Sequence, residues 1–98
     1  MPKYRTRRVT DNGDSLLEVV NQADQIVFRM PLNYQLVFAT ISKSKLWVLE
    51  QTPYPYSVSN EIDLETGQAQ SYRSQDGSLT LTANWSYDKE TDSWNLAT

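Results

Sequence analysis

From Ser78 to Tyr87 apolar and polar residues alternate without a break. Leu79, Leu81, Ala83, Trp85 and Tyr87 fall on one side of an extended chain, and Ser78, Thr80, Thr82, Asn84 and Ser86 on the other. A period of two predicts a strand with one buried face and one wet face. Val58 to Leu64 repeats the pattern, with Val58, Ile62, Leu64 and Asn60 inward and Ser59, Glu61 and Asp63 outward. Tyr34 to Ile41 and Leu46 to Leu49 are apolar on both sides and read as central strands covered on two faces, joined by a turn through Lys43 and Lys45. Tyr4 to Thr10 reads as an edge strand whose charges discourage further pairing.

All three glycines stand in turn contexts: Asn12-Gly13, Thr66-Gly67 and Asp76-Gly77. Glycine removes the steric cost of positive φ, so these are predicted tight turns. Asp14 to Met30 has two readings. Ser15-Leu16-Leu17-Glu18 fits a helix capping box, with Leu16, Leu17, Val20 and Ala23 on one helical face. The β-branched pair Val19-Val20 and the polar run Asn21 to Gln25 instead favour a hairpin of Leu16 to Val20 with Ile26 to Met30. The expected fold is all-β: one antiparallel domain spanning 1–98, of about seven or eight strands, mostly a meander, barrel-like or a two-layer sheet. The alternative is α+β, with one helix at 15–23. Residues 1–8 are expected to form a basic edge strand or a frayed arm.

The chain has 98 residues, 39% of them hydrophobic and 21% charged, enough for one core and of globular composition. It contains no cysteine and no histidine. The first absence excludes disulfides, thiolate metal sites and a cysteine nucleophile; the second removes the usual general base near neutral pH. No apolar segment follows the basic N-terminal residues and no run approaches bilayer length, so a cytoplasmic protein with no membrane partner is expected. The formal charge of -3 is uneven: nine basic residues stand against twelve acidic ones, and four of the basic ones are Lys3, Arg5, Arg7 and Arg8. The rest of the chain is strongly acidic, which disfavours nucleic acid and anionic lipid as partners.

Few residues present chemistry. Glu61, Asp63 and Glu65 alternate along a strand and share one side, as a solvent face would, although such a row could also hold Ca²⁺. Asp88, Glu90 and Asp92 imitate the start of a calcium loop, but Ser93 replaces the required glycine and the chain ends too soon. No catalytic residue, metal site, cofactor site or cofactor is expected, and no enzymatic activity. Lys3, Arg5, Arg7 and Arg8 are the candidates for a nucleic-acid or phosphate contact, against the alternative of a solubilising edge.

The aromatic residues say more. In Gln51-Thr52-Pro53-Tyr54-Pro55-Tyr56 two prolines forbid a central strand, and a stiff loop presenting aromatics is a recognition profile. Tyr54 and Tyr56, with Trp47 on its two-sided apolar strand, are therefore the candidate partner-binding residues. The last hairpin, Asn84-Trp85-Ser86-Tyr87-Asp88-Lys89-Glu90-Thr91-Asp92-Ser93-Trp94-Asn95-Leu96, resembles the C-terminal hairpin of the immunoglobulin-binding domain of protein G over about a seventh of the chain. The resemblance implies a short polar loop and a cross-strand cluster of Trp85, Tyr87, Trp94 and Leu96; it carries conformation and no antibody binding. The expected function is a non-catalytic protein-binding module, as adaptor, inhibitor or small subunit of a cytoplasmic assembly. Alternatives are a carbohydrate- or small-ligand-binding β domain and a nucleic-acid contact through the basic N-terminus. Another protein is the expected partner, with a homodimer that covers Trp47 as the alternative to a monomer.

Overall fold

A computed structural model describes residues 3–97; Met1 and Pro2, where the expected basic arm begins, lie outside the described residues. A two-residue turn sets the first hairpin. Asn12 and Gly13 both take positive φ, and the Asp11–Asp14 pair closes β1 (Tyr4–Asp11) onto β2 (Asp14–Asn21). The side chain of Asn21 accepts the backbone N–H groups of Ala23 and Gln25, so the polar run turns the chain into β3 (Ile26–Pro31). The hairpin reading of this segment holds, and no helix forms at 15–23. Six more strands follow: β4 (Gln35–Ser42), β5 (Lys45–Gln51), β6 (Ser57–Asp63), β7 (Gln68–Gln75), β8 (Ser78–Asp88) and β9 (Ser93–Ala97).

The architecture is all-β and a pure antiparallel meander, β1-β2-β3 in one sheet and β4-β5-β6-β7-β8-β9 in the other. Among the described residues no barrel closes; the two sheets form layers around a shared core. Leu17, Val19, Phe28 and Met30 from the small sheet meet Leu46, Val48, Ile62, Ala69 and Tyr87 from the large one. Phe28 meets Tyr87 and Trp94 edge to face, and Tyr87 meets Trp94 at a tilt, with centroids 5.0–5.3 Å apart; aromatic pairs of this kind add about 1 kcal/mol each beyond area burial. Trp94 also donates its indole N–H to the Arg29 carbonyl at 3.2 Å, tying the β9 edge to the β3 edge. Among the described residues no helix is long and apolar enough to cross a membrane.

Among the described residues nine strands stand where about seven or eight are expected. The surplus includes β7, whose sequence Gln-Ala-Gln-Ser-Tyr-Arg-Ser-Gln carries little apolar signal. Two strands also depart from the sequence pattern. β4 is an edge strand of the large sheet, not a central one, and Val37 and Phe38 are exposed. In β8 the pairing slips between Ser71–Ala83 and Tyr72–Leu81, leaving Thr82 as an extra residue. A one-residue bulge exchanges faces, so Leu79 and Leu81 point away from the core that Trp85 and Tyr87 join, and stand 62% and 48% exposed.

Outward from the small sheet, Arg7, Glu18 and Arg29 occupy one lateral row across β1, β2 and β3. The buried Glu18 carboxylate accepts Arg7 Nε at 2.8 Å and lies 3.2 Å from Arg29 Nε. Arg29 continues to Asp92 at 3.3 Å, and Asp92 accepts the Tyr87 hydroxyl at 2.7 Å. Burial first, and that hydrogen bond second, push the Tyr87 phenol well above its usual range.

A candidate binding groove beside the tyrosine loop

The connection from β5 to β6 is built on Thr52, which is 4% exposed. Its hydroxyl donates to the Tyr56 carbonyl at 2.7 Å and accepts the Tyr54 N–H at 3.1 Å. Gln51 adds hydrogen bonds to the carbonyls of Thr52 and Tyr56, and Ser57 bonds back to Gln51. With Pro53 and Pro55 fixing φ, the loop is held before any ligand arrives. Tyr54 is 58% exposed, and its ring stacks on Tyr56 at 5.8 Å and 12°. On Tyr56 lies the guanidinium of Arg73, 3.8 Å from the ring centroid. The three side chains form one ladder at the surface.

Pairing registers place this ladder on a definite face of the large sheet. Val58 pairs with Arg73 and Asn60 with Ser71, while Leu46 and Val48 of β5 pair with Ile62 and Asn60. Arg73, Ser71, Val58 and Asn60 thus share the face that carries the core. The small sheet covers one end of that face. At the other end a groove of about 410 Å³ remains, walled by Met30, Tyr34, Val58, Trp85 and Trp94. Its polar lining includes Asn33, Asn60, Ser71 and the buried Glu50, whose carboxylate is taken up by the backbone N–H groups of Asn33 and Tyr34; the Ser71 hydroxyl bonds to Asn60 and accepts the Trp85 indole N–H at 3.0 Å. An apolar groove with a few convergent polar groups is the usual form of a ligand site.

Trp47 belongs elsewhere. It lies on the opposite face of the same sheet, half-buried and stacked on Tyr72 at 6.4 Å. Phe38, Leu49, Ser59, Tyr72 and Leu81 form a lateral row on that outer face. The candidate trio is therefore split, with Tyr54 and Tyr56 together and Trp47 on another surface.

Nor do the N-terminal cations form one basic patch. Lys3 pairs with Glu65 at 3.2 Å, Arg5 with Asp24, and Arg7 with Glu18. The bond to Glu65 raises the Lys3 pKa above its usual value. Arg8 pairs across the strand with Leu17, on the other face of β1, and no carboxylate of the described residues bonds to it. The carboxylates are similarly engaged: Glu61 with Lys45 at 3.2 Å, and Asp63 with the backbone N–H groups of Glu65 and Thr66. Among the described residues no group of three acids is arranged to hold a metal.

Arg73 and Thr52 have no marker in the sequence; Trp85 and Trp94 are legible there as a hairpin cluster but not as the wall of a groove. Arg73 is a lone cation in a polar run, and its position over Tyr56 follows only from the β6–β7 register. Comparison with family models, with curated proteins and with solved structures finds no match to this chain.

Proposed function

We propose that this chain is a non-catalytic protein-binding module, acting in the cytoplasm as an adaptor, inhibitor or small subunit. It binds its partner across the Thr52–Tyr56 loop and the adjoining groove. The observation that carries this reading is the pre-set ladder of Tyr54, Tyr56 and Arg73. Tyr and Arg are the residue types enriched at interface hot spots, and a loop already fixed loses little entropy on binding. The test is parallel affinity capture with wild-type bait and with Tyr54→Ala/Tyr56→Ala bait. A protein retained by the first and lost by the second, then bound by the purified wild type, supports the reading. Equal capture by both baits removes the loop from the interface.

A second reading is favoured by the groove itself. Trp85, Trp94 and Tyr34 around the Asn60–Ser71 pair offer a small ligand, such as a sugar, apolar faces with polar anchors. Titrating tryptophan fluorescence with a glycan panel tests it. Quenching by one sugar class, lost in Asn60→Ala, would place this reading first.

A further inference from the structure

We propose that the groove takes a short acidic and apolar peptide segment of the partner, its carboxylate held by Arg73; this rests on the protein-binding reading above. The starting point is a cation fixed in place without a counter-charge. Among the described residues seven ion pairs engage Lys3, Arg5, Arg7, Arg29 and Lys45, and none of them includes Arg73. Arg8, Lys43 and Lys89 also lack an ion pair among the described residues, but no aromatic ring holds them. The Arg73 guanidinium carbon lies 3.8 Å over the Tyr56 ring, and no hydrogen bond or ion pair among the described residues takes up its N–H groups, which match a carboxylate in a two-pronged bond.

The position of Arg73 supplies the rest of the ligand. Arg73 and Ser71 project from the same face of β7, so their α-carbons are roughly 7 Å apart along the strand. Arg73 stands beside the groove, paired across the strands with its lining residue Val58, so a carboxylate on Arg73 brings the neighbouring residues of its peptide onto Val58 and toward Trp85 and Trp94. The 410 Å³ groove has room for more than one apolar side chain. Within it the Asn60 amide nitrogen donates to no described residue, which leaves it available for a peptide carbonyl.

Carboxylate chemistry fits better than phosphate. A dianionic phosphate is normally met by several cations, and Arg73 is the only cationic residue on the ladder. The surrounding acidic chain opposes a second negative charge. A basic peptide, which the overall charge would attract, meets repulsion at Arg73.

The experiment uses synthetic ten-residue peptides of Leu, Val, Phe, Trp, Gly and Ser with one Glu or Asp. Each has an isosteric Gln or Asn counterpart and a phosphoserine counterpart. Binding is read by tryptophan fluorescence and by amide chemical shifts of the labelled full chain. The expected result is that acidic members bind, that amide counterparts bind roughly tenfold more weakly, and that shifts gather at Val58, Arg73, Trp85 and Trp94. Arg73→Gln removes the acid-over-amide preference, Arg73→Lys keeps part of it, and both remain folded, unfolding within several degrees of the wild-type temperature. Four results overturn the proposal: no peptide binds, acid and amide bind alike, the phosphoserine members bind best, or Arg73→Gln retains the preference. Should a captured partner still be lost in Tyr54→Ala/Tyr56→Ala, the protein-binding reading survives that failure; unchanged capture would sink the reading itself.

Discussion

Glu50 and Tyr34 are joined across the turn between the two sheets: the buried Glu50 carboxylate accepts the Tyr34 backbone N–H at 3.1 Å. The same oxygen, Oε1, accepts the Asn33 N–H at 2.9 Å. Glu50 projects from the inner face of β5, so one side chain of the large sheet holds the segment that enters from the small one. A carboxylate only 2% exposed survives burial because its lone pairs meet donors. Glu50→Ala should cost about 2 kcal/mol in urea unfolding, the usual worth of hydrogen bonds to a charged group. Glu50→Gln, which keeps an acceptor oxygen in place, should cost about half of that. Equal stability of wild type and Glu50→Ala would show that this tie contributes nothing.

Tyr87 gives the fold an alkaline limit. Its pKa is raised in the folded state, so the folded chain resists losing a proton that the unfolded chain releases near pH 10. Below that pH the contribution is fully present; it is lost as pH rises from the unfolded pKa toward the folded one. Thermal unfolding should therefore fall in temperature above about pH 10, and Tyr87→Phe should flatten that decline. At neutral pH the same change should cost only about 1 kcal/mol, since exposed Asp92 keeps Arg29 and water as partners. A Tyr87→Phe profile parallel to wild type would refute the assignment.

Gly67 and Gly13 separate conformational strain from steric contact. Both have positive φ, of 80° and 85°. A Cβ on Gly13 would meet nothing within 4 Å, whereas one on Gly67 would lie 2.3 Å from the Tyr87 carbonyl oxygen. Gly13→Ala should lose about 1 kcal/mol from φ alone. Gly67→Ala must also displace β8, whose Tyr87 N–H bonds to the Gly67 carbonyl at 2.7 Å, and should lose about 3 kcal/mol or more. Denaturant midpoints of the two variants compare them directly, and equal losses would mean that the close approach is relieved by movement.

The tyrosine ladder predicts a split between stability and binding. Tyr54 is mostly exposed and Tyr56 half-buried, so Tyr54→Ala/Tyr56→Ala should lower stability by about 1 kcal/mol, the scale of a surface cation–π contact and little more. Binding of the partner should weaken by about 2 kcal/mol or more, as for interface anchors. Calorimetry on the variant measures the first and titration the second. A stability loss of several kcal/mol would mark the rings as core and withdraw the loop as a surface.

Much of the architecture was legible in the chain. Period-two alternation, glycine turns and the absence of long helical patterns determined an antiparallel β meander. The polar run Asn21 to Gln25 with Val19-Val20 determined the β2–β3 hairpin. The terminal hairpin was legible as a cross-strand cluster of Trp85, Tyr87, Trp94 and Leu96; the register sets Tyr87 opposite Trp94 and Trp85 opposite Leu96, although Leu96 remains exposed. These features are local, encoded in residues a few positions apart.

Tertiary structure decided what depends on register between distant strands. No local signal announces that Thr82 is an extra residue, yet that single slip turns Leu79 and Leu81 outward and reverses the face the alternation assigns them. The sequence marks Trp47 and the two loop tyrosines alike as aromatic, but strand pairing sends Trp47 to one face and Arg73, with Tyr56 stacked on it, to the other. The groove exists because a three-stranded sheet is too narrow to cover a six-stranded one. Alternation fixes which side chains share a strand face; only the packing of whole sheets fixes which part of that face stays open.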